Sequence, residues 1–127
     1  MQPASIKYHK TTRTLELHYS DGLNAVLSAE LLRVFSPSAE VRGHSADQRV
    51  LQTGKKQVQI KAVDPVGNYA IRIEFDDGHD TGIYSWGYLR ELVDKREEYW
   101  SQYLRELDQA NASRLPQIPL GHWNPKE

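Results

Sequence analysis

The sequence contains no cysteine, which excludes disulfides, thiolate metal sites, cysteine-held iron–sulfur clusters and cysteine nucleophiles. Long apolar runs are missing as well. Nothing approaches the roughly 20 residues of a membrane span, and the opening MQPASIKYHK has no apolar signal core. Charge of one sign is not in excess: a formal net charge of -1 leaves no global field to draw the chain to nucleic acid or to an anionic membrane. Several catalytic signatures are absent, among them G-x-S-x-G, the Walker A loop, G-x-G-x-x-G and H-E-x-x-H. The H-x-D/E pair that opens a non-haem iron triad is also missing, since His44 precedes Ser45-Ala46 and His79 precedes Asp80 directly. These absences predict a cytoplasmic, non-catalytic protein with neither a nucleic-acid nor a membrane partner.

What is present reads as one globular domain. At 127 residues, 39% hydrophobic and 26% charged, the chain is long enough to bury a core without staples. The stretch YAIRIEFDDGHDTGIYSWGYLREL, Tyr69 to Leu92, organises it. Tyr69, Ile71, Ile73 and Phe75 alternate with Ala70, Arg72 and Glu74 as in a strand, and Asp77-Gly78 is a two-residue hairpin signal. Ser85 caps a helix whose stripe of Leu89, Leu92, Val93, Trp100, Tyr103, Leu104 and Leu107 runs from Trp86 to about Asp108, interrupted by Arg96.

Upstream, Ser5–Lys10, Thr14–Tyr19 and the strand carrying Leu23, Ala25 and Leu27 form a meander, with Asp21-Gly22 at the second turn. Ser28 caps a short helix, and residues 36–48 read as a long loop. Val50–Gln52 reads as a short strand and Val58–Ala62 as another, followed by a turn at Asp64-Pro65 and Gly67-Asn68. The expected fold class is α+β: a mostly antiparallel β-sheet with one short helix and a long C-terminal helix. Residues 1–4 are expected to be disordered, 5–109 to form the domain and its helix, and 110–127, with Pro116, Pro119, Trp123 and Pro125, to be a flexible tail.

Two groups of side chains are candidates for function. Asp76, Asp77, His79 and Asp80 place three carboxylates and an imidazole within five residues. They suit either a solvated turn or a metal site in which His79, Asp77 and Asp80 are joined by His44 through the fold. Tyr99, Trp100 and Tyr103 form an aromatic cluster on the long helix, suited to core packing, to a folded-back tail or to a partner. The basic residues Arg42, Arg49, Lys55 and Lys56 lack interleaved aromatics and read as solvated surface rather than a phosphate site.

At FDDGHDTGIYSWGYLREL, together with LELHYSDGLNAVLSAELLRVFSPSAEVRGH, the sequence resembles the gamma-butyrobetaine hydroxylase-like N-terminal domain family. The resemblance covers about residues 5–94. It implies a small β-rich domain that also occurs alone in bacteria, is fused to Mrp-type iron–sulfur carrier ATPases, and precedes the oxygenase domain of carnitine-pathway hydroxylases, where it binds a structural zinc. In this sequence Ser36, Ser38 and Val41 stand at the zinc cysteine positions and His79 at the histidine position. The family's structural zinc is therefore expected to be absent, and no confident cofactor follows; iron or zinc at His79 is the alternative. The resemblance implies an accessory or interaction domain connected with iron–sulfur or iron metabolism. Its partner would be a protein, an iron–sulfur carrier ATPase or a second copy. Metal binding, or a non-catalytic oxygenase subunit, would be other roles.

Overall fold

A computed structural model describes residues 2–43 and 49–116. The chain opens with the expected meander: β1 (Ser5–His9), β2 (Thr14–His18) and β3 (Asn24–Ser28), paired antiparallel in that order. Alternation decides the faces. Leu15 and Leu17 of β2 and Leu27 of β3 are buried, while Glu16 and His18 lie on the opposite face. Ser28 ends β3 and caps α1 (Ala29–Val34), its hydroxyl accepting from Leu31 N at 3.0 Å. Every residue of α1 is buried, including Glu30 and Arg33.

The second half forms a separate sheet, β4 (Ile60–Val66), β5 (Ala70–Phe75) and β6 (Gly82–Ser85), again antiparallel and in chain order. The described residues thus hold two three-stranded sheets where one was expected. Side chains from both meet in one core with Leu31 and Leu32 of α1, for example Leu15 and Leu17 from the first sheet and Ile71, Ile73, Phe75 and Tyr84 from the second. Two small sheets packed through helices bury more apolar surface than one flat six-stranded sheet with an open face. The Tyr84 hydroxyl reaches across the core and donates to the Leu32 carbonyl. Tyr84→Phe should therefore cost about 1–2 kcal/mol in urea unfolding, since it leaves a buried carbonyl unpaired with little change in shape.

Four local expectations are corrected. β4 runs through Asp64 and Pro65, which pair with Arg72 and Ile71; β4 is an edge strand, where a missing N–H is tolerated. Within the expected 36–48 loop lies α2 (Ala39–Arg42), capped by Ser38, and among the described residues 50–52 form no strand. The long helix is two: α3 (Trp86–Asp94) and α4 (Arg96–Gln109) meet at Lys95, where φ is -114° and ψ is 23°. Arg96, which breaks the apolar stripe, donates there to the Val26 carbonyl on β3 at 2.7 Å. The bend lets α3 bury Leu89 and Leu92 while α4 buries Tyr103 and Leu107, so the distal half packs on the domain. No helix among the described residues is long and apolar enough to cross a membrane.

Candidate functional site

The acidic turn between β5 and β6 is longer than a two-residue hairpin: six residues, 76–81, separate the strands. Gly78 N donates to the Phe75 carbonyl at 3.2 Å, and Gly78 has φ +91°, a conformation glycine takes without strain. His79 is thereby turned inward, its side chain 3% exposed. Its Nε2 lies 2.8 Å from Ser36 Oγ, just past α1. Ser36 Oγ also accepts from Ser38 N at 3.2 Å, and the other ring nitrogen of His79, Nδ1, lies 3.5 Å from Glu40 Oε2. Burial, then the Arg33 guanidinium, holds the His79 pKa below its ordinary value, as a neutral imidazole requires. Beside it, Ser38 and Thr81 share a hydroxyl–hydroxyl bond of 2.7 Å, and Thr81 donates to Glu40 at 3.1 Å.

Asp77 fastens the other end of the turn. Its Oδ2 accepts from Arg33 Nε at 2.8 Å and Lys55 Nζ at 2.6 Å, and its Oδ1 accepts from His79 N at 3.1 Å. Burial alone would push this carboxyl up; the Lys55, His79 N–H and Arg33 contacts outweigh it and bring the pKa down to about 2. Asp77 and His79 are thus brought together, but each faces a different partner. Asp80 is exposed, and His44 lies outside the described residues. Among the described residues, no three His, Asp or Glu side chains are grouped to hold a metal ion. Of the positions that the resemblance sets as zinc ligands, Ser36 and His79 touch, Ser38 bonds Thr81, and Val41 is buried. Two hydroxyls and an isopropyl group do not fit zinc, which favours thiolate and imidazole donors.

The aromatic cluster is engaged within the chain. Tyr99 packs edge-on against Phe35, with centroids 4.7 Å apart, and its hydroxyl donates to Glu91. Tyr103 is fully buried, and Trp100 packs on it at 5.3 Å. The basic residues also have internal neighbours: Arg42 lies over Tyr88, Arg49 over Phe35, and Lys55 on Asp77, while Lys56 is exposed.

Sequence reasoning missed a second polar centre. Glu30 is 5% exposed, yet both its oxygens are bound, by Tyr103 OH at 2.9 Å and by Arg114 Nε and Nη2 at 2.9 and 2.8 Å. A carboxylate set beside Leu31-Leu32 in a helix that is apolar on most sides was the available signal; its partner lies 84 residues away in the stretch read as tail. That stretch is attached where it is described, through Gly54 N to Ser113 O and Lys56 N to Arg114 O, both 2.9 Å; residues 117–127 lie outside the described residues.

Residues 6–90, spanning both the clasped turn and α1, match the family described as gamma-butyrobetaine hydroxylase-like, N-terminal. The chain belongs to this family. It is similar to two proteins whose solution structures were determined by NMR. One shares 45% identity at a TM-score of 0.80, with 94% of each chain covered. The other shares 46% identity at a TM-score of 0.78, covering 98% of this chain and 93% of its own. A third similar structure is the crystal structure of a protein of unknown function from Acidithiobacillus ferrooxidans ATCC 23270 that belongs to the DUF971 family. It is 39% identical at a TM-score of 0.62, over 72% of this chain and 92% of that one. Comparison with curated proteins finds no match.

Proposed function

We propose that this family member is a non-catalytic accessory or interaction domain, with its polar signature residues holding the fold together rather than serving an open site. One observation carries the reading: Ser36, the partner of His79, is 1% exposed and already bonded on two sides. Hydroxyl, imidazole and carboxylate follow one another in Ser36, His79 and Glu40 as they do in a hydrolase triad. A nucleophile needs an acyl carbon within about 3 Å, and no substrate reaches an oxygen enclosed to this degree.

The same enclosure argues against the family's structural zinc, because Ser36 and Ser38 serve His79 and Thr81 instead. A connection with iron–sulfur or iron metabolism, through a carrier ATPase or a second copy of the chain, rests on the resemblance to domains fused to such carriers. The cytoplasm is the compartment this role calls for.

An amide NMR titration with Zn²⁺ and, anaerobically, Fe²⁺ tests the reading against metal binding by His79, Asp77 and Asp80. The expected result is no saturable shift at Asp77–Thr81 or Ser36–Val41. Saturable micromolar shifts there, abolished in His79→Ala, would replace this reading with the metal-binding one.

A further inference from the structure

The Glu30 centre has the parts of a cation receptor. A buried carboxylate offers both oxygens to a guanidinium fork, with Arg114 Nε and Nη2 at 2.9 and 2.8 Å. The indole of Trp100 supplies a face, 4.9 Å from the Arg114 guanidinium carbon. Tyr103 OH, at 2.9 Å, holds Glu30 Oε2 in place. These three receptor residues stand on α1 and α4. Arg114 is attached differently: its side chain is 33% exposed, Leu115 and Pro116 beyond it are exposed, and the backbone hydrogen bonds to Gly54 and Lys56 tie it down. The receptor is therefore part of the scaffold, while its occupant hangs on a strap that buries little apolar surface.

Among the described residues, the site also opens sideways. A groove of about 610 Å³ runs past Glu30, Trp100 and Arg114 between the Thr14–Ser28 end of the first sheet and the start of α4, with Val26 and Leu31 in its lining. An incoming chain segment that carried a guanidinium to Glu30 would find room there for its backbone, hydroxyls at Thr14 and Ser28, and apolar contact at the exposed Val26.

We propose that Glu30, Trp100 and Tyr103 form a guanidinium-binding site that Arg114 fills in cis and that an arginine side chain of a partner protein fills in exchange, an inference that rests on the interaction-domain reading above. Exchange trades one bidentate ion pair for another, so the buried carboxylate is not left unpaired once the partner is seated. Lysine is a poorer substitute, because an ammonium cannot span both oxygens in one plane.

The test uses Arg114→Ala, with Glu30→Gln/Arg114→Ala as the variant that retains the pocket without its buried charge. Methylguanidinium should bind Arg114→Ala saturably, shift the Trp100 indole N–H resonance and raise Tm. Methylammonium should do so about tenfold more weakly, and the double variant should not respond. In the unmodified chain, an end-blocked Ala-Arg-Ala peptide should move the Ser113–Leu115 amides toward their Arg114→Ala positions, and Ala-Lys-Ala should not. Equal responses of the single and double variants would overturn the site. A peptide that leaves the Ser113–Leu115 amides in place would overturn the exchange, making Arg114 a permanent structural plug. Free methylguanidinium displacing Arg114 where the peptide does not would point to a small-molecule ligand and overturn the partner assignment. A metal response at His79 would overturn the earlier reading without moving the Trp100 signal.

Discussion

Gly82→Ala is expected to lower the unfolding free energy by about 2–3 kcal/mol, although it adds a single methyl group. Gly82 does not have a positive φ, so the cost is steric. A Cβ at this position falls 2.5 Å from Ser36 Oγ and 3.1 Å from Tyr84 Cε1. An exposed side chain would swing away; Ser36 Oγ cannot, because it is 2.8 Å from His79 Nε2 and 3.2 Å from Ser38 N in the interior. Ser36→Ala alone should cost about 1–2 kcal/mol by leaving those two groups unpaired. In the double variant the colliding oxygen is gone, so the two costs should sum to more than the pair incurs together, with a coupling of about 1 kcal/mol or greater. Urea unfolding of the four proteins in the cycle measures this. Strict additivity would mean that β6 shifts away from α1 as a body and that the Ser36–His79 contact is not what fixes its position.

That contact also shows where the sequence was informative. Alternation set Ile71, Ile73 and Phe75 on one face of a strand, and all three are buried; small hydroxyl residues before apolar runs marked Ser28 and Ser85 as caps, and both accept the N–H three residues on. Each of these features is decided within a few residues of chain. The resemblance also set Ser36 and His79 at corresponding ligand positions, and the fold puts them in contact across 43 residues. What remained illegible is decided at long range or by competition. Asp64-Pro65 has turn chemistry, but cross-strand pairing with Arg72 and Ile71 keeps it in β4. The apolar stripe of the long helix continues past Lys95, but the Arg96 bond to Val26 and the packing of both halves bend the helix there. Arg33 and Asp77 look like ordinary surface charges until tertiary structure pairs them over 44 residues, and although Glu30 stands out beside Leu31-Leu32, nothing near it in the chain points to Arg114, 84 residues on.

Stability should decline on acidification in two stages. The first begins near pH 6.5, the ordinary histidine pKa. Burial and the Arg33 charge depress the folded pKa of His79, so below that pH the unfolded chain binds a proton that the folded chain refuses. Stability present above the unfolded pKa is therefore lost as pH falls toward the folded one. The second stage belongs to Asp77. Its contribution is complete above the ordinary carboxyl pKa of about 4 and is lost as pH falls through its folded value of about 2. With the Asp77 side chain 21% exposed, solvent screening brings that contribution to about 1–2 kcal/mol. Both slopes have the same sign and arise in one turn, so the clasp of His79 on Ser36 and of Asp77 on Arg33 should open early in acid unfolding. Denaturant midpoints from about pH 8 down to about pH 2 should show it: His79→Gln flattens the upper stage and Asp77→Asn the lower, each leaving the other in place. An unchanged profile in both variants would place the acid sensitivity elsewhere, Glu16, whose pKa is lowered first by its hydrogen bond from His9, being the next group to replace.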